Sequence, residues 1–357
     1  MDILNQVIST AQPQHSDIGT TELPAGRPMF PHTFDSTMLS AFRSCPQKMF
    51  RTYVEHWKPK ADSVHLVAGG AFAKGIEVAR KGYYEGLTAG APHELYCEPG
   101  DQASAVAAGC AALIHAYGDF ECPSDSAKSL DRTLGALEYY LDMYPLGQDG
   151  LEPATFVDGR KAIEFSFAEP LGINHPVTGD PILYTGRADL IGHFAGGLYV
   201  VDEKTTSSLG ASWAKQWEMR GQFSGYAWAA ARAAGLQVDG IMVRGVSILK
   251  TKYDTMQVLT NRSKYEIDRW LDQTHRDIER AIKCWRDGYW DYALDGACAE
   301  YGGCSLTNVC KSSEPNTWLP MYFERRVWDP LARKQLSVRE WEESWGHQSI
   351  PGNIIPL

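Results

Sequence analysis

The sequence predicts an α/β fold: a mixed central β-sheet flanked by helices. Three observations carry that prediction. Strand-like patterns follow one another between Lys161 and Thr260, separated by turn-rich breaks. Helical periodicity precedes them, interrupts them and follows them. No internal repeat and no low-complexity linker divides residues 34–310, which favours one domain.

Residues 1–33 mix Gln, Ser, Thr, Pro and Gly without periodicity and read as a loose N-terminal arm. Asp35 or Ser36 can cap a first helix with Met38, Leu39 and Phe42 on its apolar face, and Cys45-Pro46 breaks or restarts it. "VAGGAFAKGIEVARKGYYEG" reads as a helix begun at its glycine pair, with Ala71, Phe72, Ile76 and Ala79 inside. Residues 100–145 read as helical. "KAIEFSFAEPL" and "PILYTGRADLIGHF" are strands around the turn-rich "GINHPVTGD". "LYVVDEKTT" pairs back across Ala195-Gly196-Gly197. One helix from Ser212 stops at Gly235. A second strand pair covers Gly240 to Thr260, and a long amphipathic helix runs from Lys264. The main domain is therefore placed at 34–315, with 316–357 as a C-terminal extension.

Of the 357 residues, 44% are hydrophobic and 22% charged, the balance of a soluble chain able to bury a sizeable core. The net charge of −10 argues against a surface coated with basic residues for nucleic acid, although not against a local basic cleft. The chain opens on a polar segment and holds no apolar run of about 18 residues, so neither a secretion signal nor a membrane span is expected. The eight cysteines then read as thiols or metal ligands in a cytoplasmic protein.

Chemistry concentrates in "GRADLIGHFAGGLYVVDEKTTS", Gly186 to Ser207. Strand alternation puts Asp202 and Lys204 on one face and Glu203 on the other. Asp189, on the facing arm, can approach Asp202 across the hairpin. Two carboxylates this close resist joint ionisation unless a cation joins them. Hard divalent cations want such oxygen ligands and can activate a water toward a phosphodiester. Lys204 could orient that water or neutralise the phosphate. The plainer alternative is a pair of charged strand ends with a Lys204–Asp189 ion pair.

This stretch, with the downstream helix carrying "QFSGYAWA", resembles the PD-(D/E)XK nuclease superfamily. The nearest likeness is to its RecB-type branch, which includes phage and CRISPR-associated exonucleases. The resemblance rests on Gly-X-X-Asp at Gly186–Asp189, (Asp/Glu)-X-Lys at Asp202–Lys204 and Gln-X-X-X-Tyr at Gln222–Tyr226, and it spans about residues 34–310. It implies a restriction-endonuclease-like core and a DNA exonuclease acting on single- or double-stranded DNA. By the same resemblance, Asp189, Asp202 and the main-chain carbonyl of Glu203 hold Mg²⁺ or Mn²⁺. Lys204 is the catalytic lysine, and Gln222 and Tyr226 share the helix face turned to the site. Recombination or replication proteins, or further copies of the chain, would be its protein partners.

One departure stands out. The family often carries a histidine four residues before the acid at Glu77, and Ala73 stands there. Glu77 could supply a carboxylate to the metal in its place. Ala73 also keeps open a second reading, a catalytically inactive nucleic-acid-binding module. Glu164 is a further candidate acid, read here as a strand-surface residue.

Cys298, Cys304 and Cys310 fall within 13 residues, each pair separated by five others. That spacing lacks the paired knuckles of a zinc ribbon. RecB-like exonucleases often bind a 4Fe-4S cluster through one cysteine before the catalytic core and three after it. Cys45 followed by Cys298, Cys304 and Cys310 resembles that layout, although Tyr301 stands where a middle ligand belongs. Such a cluster would close a loop of roughly 250 residues, where a staple should help most. Zinc is the alternative metal. Arg43, Arg244, Arg262 and Arg269 could meet phosphates. Trp213, Trp217 and Trp228 could stack on bases.

Overall fold

The computed structural model describes residues 26–88, 95–294, 296–299 and 303–329. β1 (Thr33–Phe34) leads into α1 (Ser36–Ser44). Asp35 caps that helix, its carboxylate accepting the Met38 N–H at 2.7 Å, a bond worth about 1 kcal/mol. Pro46 then occupies the first turn of α2 (Pro46–Met49), where its missing N–H costs nothing. A π-helical turn, Phe50–Val54, leads to β2 (Trp57–Pro59).

Three helices follow: α3 (Val64–Glu85), α4 (Gln102–Tyr117) and α5 (Leu130–Met143). The glycine pair Gly69-Gly70 lies inside α3 rather than at its start. α3 and α4 approach at Gly75 and Gly109; a Cβ on Gly109 would stand 2.7 Å from the Gly75 carbonyl oxygen. Next come β3 (Glu152–Pro153), β4 (Ile163–Asn174), β5 (Pro181–Phe194) and β6 (Gly197–Thr206). The turn between β5 and β6 carries Ala195 and Gly196 at φ 49° and 86°, the positive pair a tight hairpin needs.

The single helix expected from Ser212 is two: α6 (Ala211–Lys215) and α7 (Gly221–Ala234). The extended backbone of Arg220, ψ 116°, separates α7 from the turn before it. Gly235 ends α7 in the left-handed region, as expected. β7 (Gly240–Ile248) and β8 (Tyr253–Asn261) precede α8 (Lys264–Asp287). Ser263 and Glu266 cap α8 reciprocally. α9 (Thr307–Lys311), α10 (Pro315–Tyr322) and β9 (Phe323–Arg325) complete the described chain.

The seven-stranded sheet runs β1-β5-β6-β7-β8, with β3 and β4 also pairing to β5. β5–β6 and β7–β8 are antiparallel, β6–β7 parallel, so the sheet is mixed. Residues of α1, α7 and α8 bury one face in a core that includes Tyr184, Val200, Ile241 and Val243. Helices α3, α4 and α5 pack on the other face, against Val246 and Ile248. Among the described residues, no helix is long and apolar enough to cross a membrane.

The expected outer boundaries shift. Residues 26–33 do not trail away: Phe30 is buried and Arg27 donates to the Trp285 carbonyl. Residues 1–25 lie outside the described residues. At the other end, α10 spans the boundary expected at 315, and β9 pairs with β2. Trp328 Nε1 donates to Asp35 Oδ2 at 2.9 Å, so the chain to 329 is tied back to α1. These attachments use backbone pairing and buried aromatics, which local composition does not announce.

Candidate active site

The site opens where β5 and β6 part. Their ladder runs from Phe194↔Gly197 to Leu190↔Val201 and stops. Beyond it, β6 stays paired only to β7, through Thr206. Asp189 fills the gap: its Oδ2 accepts the Glu203 N–H at 3.0 Å, replacing a ladder partner. Asp202 stands beside it, 1% exposed.

The strand partner on the other side is irregular at the same level. The β4–β5 register passes from Ile163↔Leu190 to Phe165↔Ala188 and leaves Glu164 facing Asp189. Glu164 has φ 56°, a left-handed conformation that bulky residues adopt at a cost of about 1–3 kcal/mol. Residues two apart in a regular strand share a face. Here Leu190 and Ala188 belong to different cores, as do Ile163 and Phe165. Alternation therefore flips at Glu164 and Asp189.

The electrostatics follow from this crowding. Burial raises the Asp189 carboxyl well above the usual range, and the charges of Asp202 and Glu203 push it the same way. Burial also raises Asp202, against the pull of Lys204. Lys204 Nζ sits 2.5 Å from Asp202 Oδ2. The expected Lys204–Asp189 pair is thus a Lys204–Asp202 pair. Burial opposes the lysine's charge, but Asp202 and Asp189 outweigh it and raise its pKa.

Glu203, between them, points to the opposite face. Arg80 holds both of its oxygens, and Tyr140 Oη donates to Oε1 at 3.1 Å. Burial would raise this carboxyl, yet Arg80 brings it below the usual range.

Gln222 and Tyr226 lie one turn apart on α7, and Gln222 Nε2 donates to the Tyr226 hydroxyl at 3.0 Å. Burial, then the Asp202 charge, raises the Tyr226 phenol well above its ordinary value. A Cβ on Gly186 would stand 3.0 Å from Tyr226 Cε1 and 2.6 Å from Phe167 Cζ. Glycine in the Gly-X-X-Asp segment therefore lets that ring close on the strand.

Glu77, the expected additional carboxylate, is ion-paired on α3. Lys74 and Lys81 take its two oxygens at 3.0 and 2.8 Å. Burial would raise the carboxyl, but the two lysines lower it. Glu164 differs from expectation: its side chain is 10% exposed rather than on the strand surface. Burial raises its carboxyl to about 7, Arg187 opposing and Glu77 adding.

Arg244, Arg262 and the three tryptophans turn out to be framework. Arg244 is buried, paired with Asp149 and bonded to Gln257. Arg262 donates to the Trp217 carbonyl. Trp213, Trp217 and Trp228 belong to the core.

Cys45 stands at the junction of α1 and α2, and Cys304 N–H donates to the Cys298 carbonyl at 2.9 Å. Burial pushes the Cys310 thiol up to about 11, with Cys304, Cys45 and Cys298 adding to the rise. Sequence-distant Cys45 is thus an electrostatic neighbour of the late cysteines. Tyr301 lies outside the described residues. Among the described residues, no three His, Cys, Asp or Glu side chains are gathered closely enough to hold one ion as they stand.

A sequence profile of the PD-(D/E)XK nuclease superfamily matches residues 36–311. The chain belongs to the PD-(D/E)XK nuclease superfamily. Its mixed sheet with flanking helices is the fold of that superfamily, and the family implies DNA as substrate. Among solved structures, the chain is similar to a candidate exonuclease from Eubacterium rectale, at 11% identity and TM-score 0.44, covering 73% of this chain and 85% of that one. It is also similar to a protein named SSO0001, at 13% identity and TM-score 0.28, covering 71% and 77%. No curated protein matches the sequence.

Proposed function

We propose that this superfamily member is a metal-dependent DNA exonuclease of the RecB type, with a structural iron–sulfur cluster. The observation that carries the catalytic reading is the gap between β5 and β6, filled by Asp189, Asp202 and Lys204. Two buried carboxylates whose charges repel each other suit a divalent cation, which relieves the repulsion. Asp189, Asp202 and the Glu203 carbonyl would hold Mg²⁺ or Mn²⁺. When bound, such an ion lowers the pKa of a water and offsets charge on a phosphoryl oxygen. Lys204, already charged against Asp202, supplies a cation toward the scissile phosphate. Tyr226, held protonated and bonded to Gln222, lies against Gly186 of the strand that carries Asp189. Arg80 and Tyr140 fix Glu203 from behind, and with it the spacing of its neighbours. Glu77 is neutralised by its two lysines, so it serves better as a scaffold for them than as a metal ligand.

The exonucleolytic mode rests on the motif resemblance to the RecB-type branch. The cluster rests on the resemblance of the Cys45, Cys298, Cys304 and Cys310 layout to that of RecB-like exonucleases. Four thiolates on iron would staple α1 to the segment before α10. Zinc on the same thiols is the alternative.

Cleavage of linear and circular DNA with Mg²⁺ or Mn²⁺ tests the reading, with Lys204→Ala in parallel. Loss of linear DNA with circles intact, and a dead variant, supports an exonuclease. Cutting of circles makes it an endonuclease. Inactive wild-type protein that still binds DNA moves the reading to the inactive binding module that Ala73 keeps open. Iron, sulfide and zinc analysis of anaerobically purified protein, with Cys45→Ser alongside, tests the cluster.

A further inference from the structure

Glu164 and Arg187 form an ion pair on the rim of the site, with Arg187 Nε 2.7 Å from Glu164 Oε2. The acid's side chain is 10% exposed and the arginine's 59%. One end of the pair is thus held in the protein, and the other stands in solvent. Glu164 is held by its place opposite Asp189 and by its left-handed backbone inside β4. Backbone outliers of this kind gather at functional sites. Arg187 lies two residues before Asp189 on β5, so the strand that carries the cation-binding acid also carries this guanidinium. Nε makes the closest contact of the pair, and most of the arginine side chain remains open to solvent.

The surroundings fit the same pattern. Lys74 and Lys81, 48% and 34% exposed, clasp the less exposed Glu77 on α3. Glu164 interacts electrostatically with Glu77, Lys81 and Arg187 together. Lys81 and Arg187 are thus two cations beside Glu164, each tethered to a more buried acid, and Lys74 shares Glu77 with Lys81. Tethering removes much of the side-chain freedom an arginine loses on binding, and a guanidinium fork matches phosphate geometry.

The geometry points to Arg187 as a phosphate-binding residue of the proposed nuclease and to Glu164 as the positioning residue that acts through it. The ligand is a nucleic-acid backbone phosphate near the scissile one, read without regard to base. The inference rests on the nuclease reading and deepens it.

The test is binding of a fluorescent linear oligonucleotide in Ca²⁺, across salt concentrations, read by anisotropy. MnCl₂ titration calorimetry on each variant reports the cation site separately. Arg187→Ala should weaken DNA binding roughly tenfold and flatten the log–log salt slope by about 0.7–0.9, one phosphate contact. KM should rise with kcat little changed, and Mn²⁺ binding should persist. Arg187→Lys should keep the slope with intermediate affinity. Glu164→Gln should weaken DNA binding in the same direction, and the double variant should be no weaker than Arg187→Ala alone. Wild-type affinity and slope in Arg187→Ala would overturn the assignment. Loss of Mn²⁺ binding in Glu164→Gln would make Glu164 a ligand instead, and full additivity would separate the two residues. Wild-type protein that binds no DNA removes the nuclease reading itself, and the pair with it.

Discussion

Asp202 and Glu203 are adjacent acids on one strand, yet the protein treats them oppositely. Asp202 faces the gap beside Asp189, and burial holds its carboxyl above the usual range. Glu203 faces α3 and α5, where Arg80 and Tyr140 meet it, and Arg80 holds its carboxyl below that range. Each side chain is 2% exposed. The difference lies in partners rather than depth. A buried carboxylate with a bidentate arginine is a structural element; one that shares a single lysine beside a second buried carboxylate still carries uncompensated negative charge.

Activity should break the comparison most sharply. Asp202→Asn or Lys204→Ala should lower the cleavage rate at least about 100-fold, measured under single-turnover conditions, with the far-UV spectrum unchanged. On the other face the loss should be one of stability. Arg80→Ala leaves Glu203 buried without its partner and should cost about 3–5 kcal/mol in urea unfolding. An unchanged midpoint would show that the network is not structural.

A divalent cation sharpens the contrast next. Mg²⁺ at 100 times its dissociation constant should add about 2.7 kcal/mol to wild-type stability, and clearly less to Asp202→Asn. Thermal unfolding with EDTA and with excess Mg²⁺ measures both.

The pH dependence has opposite signs on the two faces. Without metal, folded Asp202 and Asp189 bind protons more tightly than in the unfolded chain. Their contribution therefore turns unfavourable as pH rises through the ordinary carboxylate range toward their raised values. Glu203 contributes stability that is fully present above the unfolded glutamate value and is lost as pH falls toward its lowered one. Asp202→Asn should accordingly raise the melting temperature of EDTA-treated protein at neutral pH, and Glu203→Gln should lower it. The smallest effect belongs to Glu164→Gly, which relieves the left-handed backbone. It should stabilise the protein by up to about 1 kcal/mol while weakening DNA binding.

Much of this was legible in the chain itself. The Ala195-Gly196 turn, the Asp35 cap and the stop at Gly235 are local devices. Their physics lies within a few residues, so sequence announces them. The alternation of Asp202, Glu203 and Lys204 follows from strand periodicity alone, and the order of motifs pointed to the superfamily that the profile match bears out. The Gly186 requirement was legible only as a motif letter; its cause is the Phe167 and Tyr226 rings brought in from two other elements.

The tertiary structure decided the rest, because the deciding contacts are long-range. Lys204 pairs with Asp202, while Asp189 accepts the Glu203 N–H where two strands part. Arg80 met Glu203 from a helix more than a hundred residues upstream. Two lysines a turn away on either side removed Glu77 from the free acids. Glu164, which looked like a strand-surface residue, became buried because the β4–β5 pair reverses its alternation opposite Asp189, and no local pattern encodes that reversal. Sequence determined which residue types the site would contain and which faces of their own elements they would share. Packing of distant elements determined which charges would neutralise one another, because a side chain's partners depend on what the fold brings opposite it.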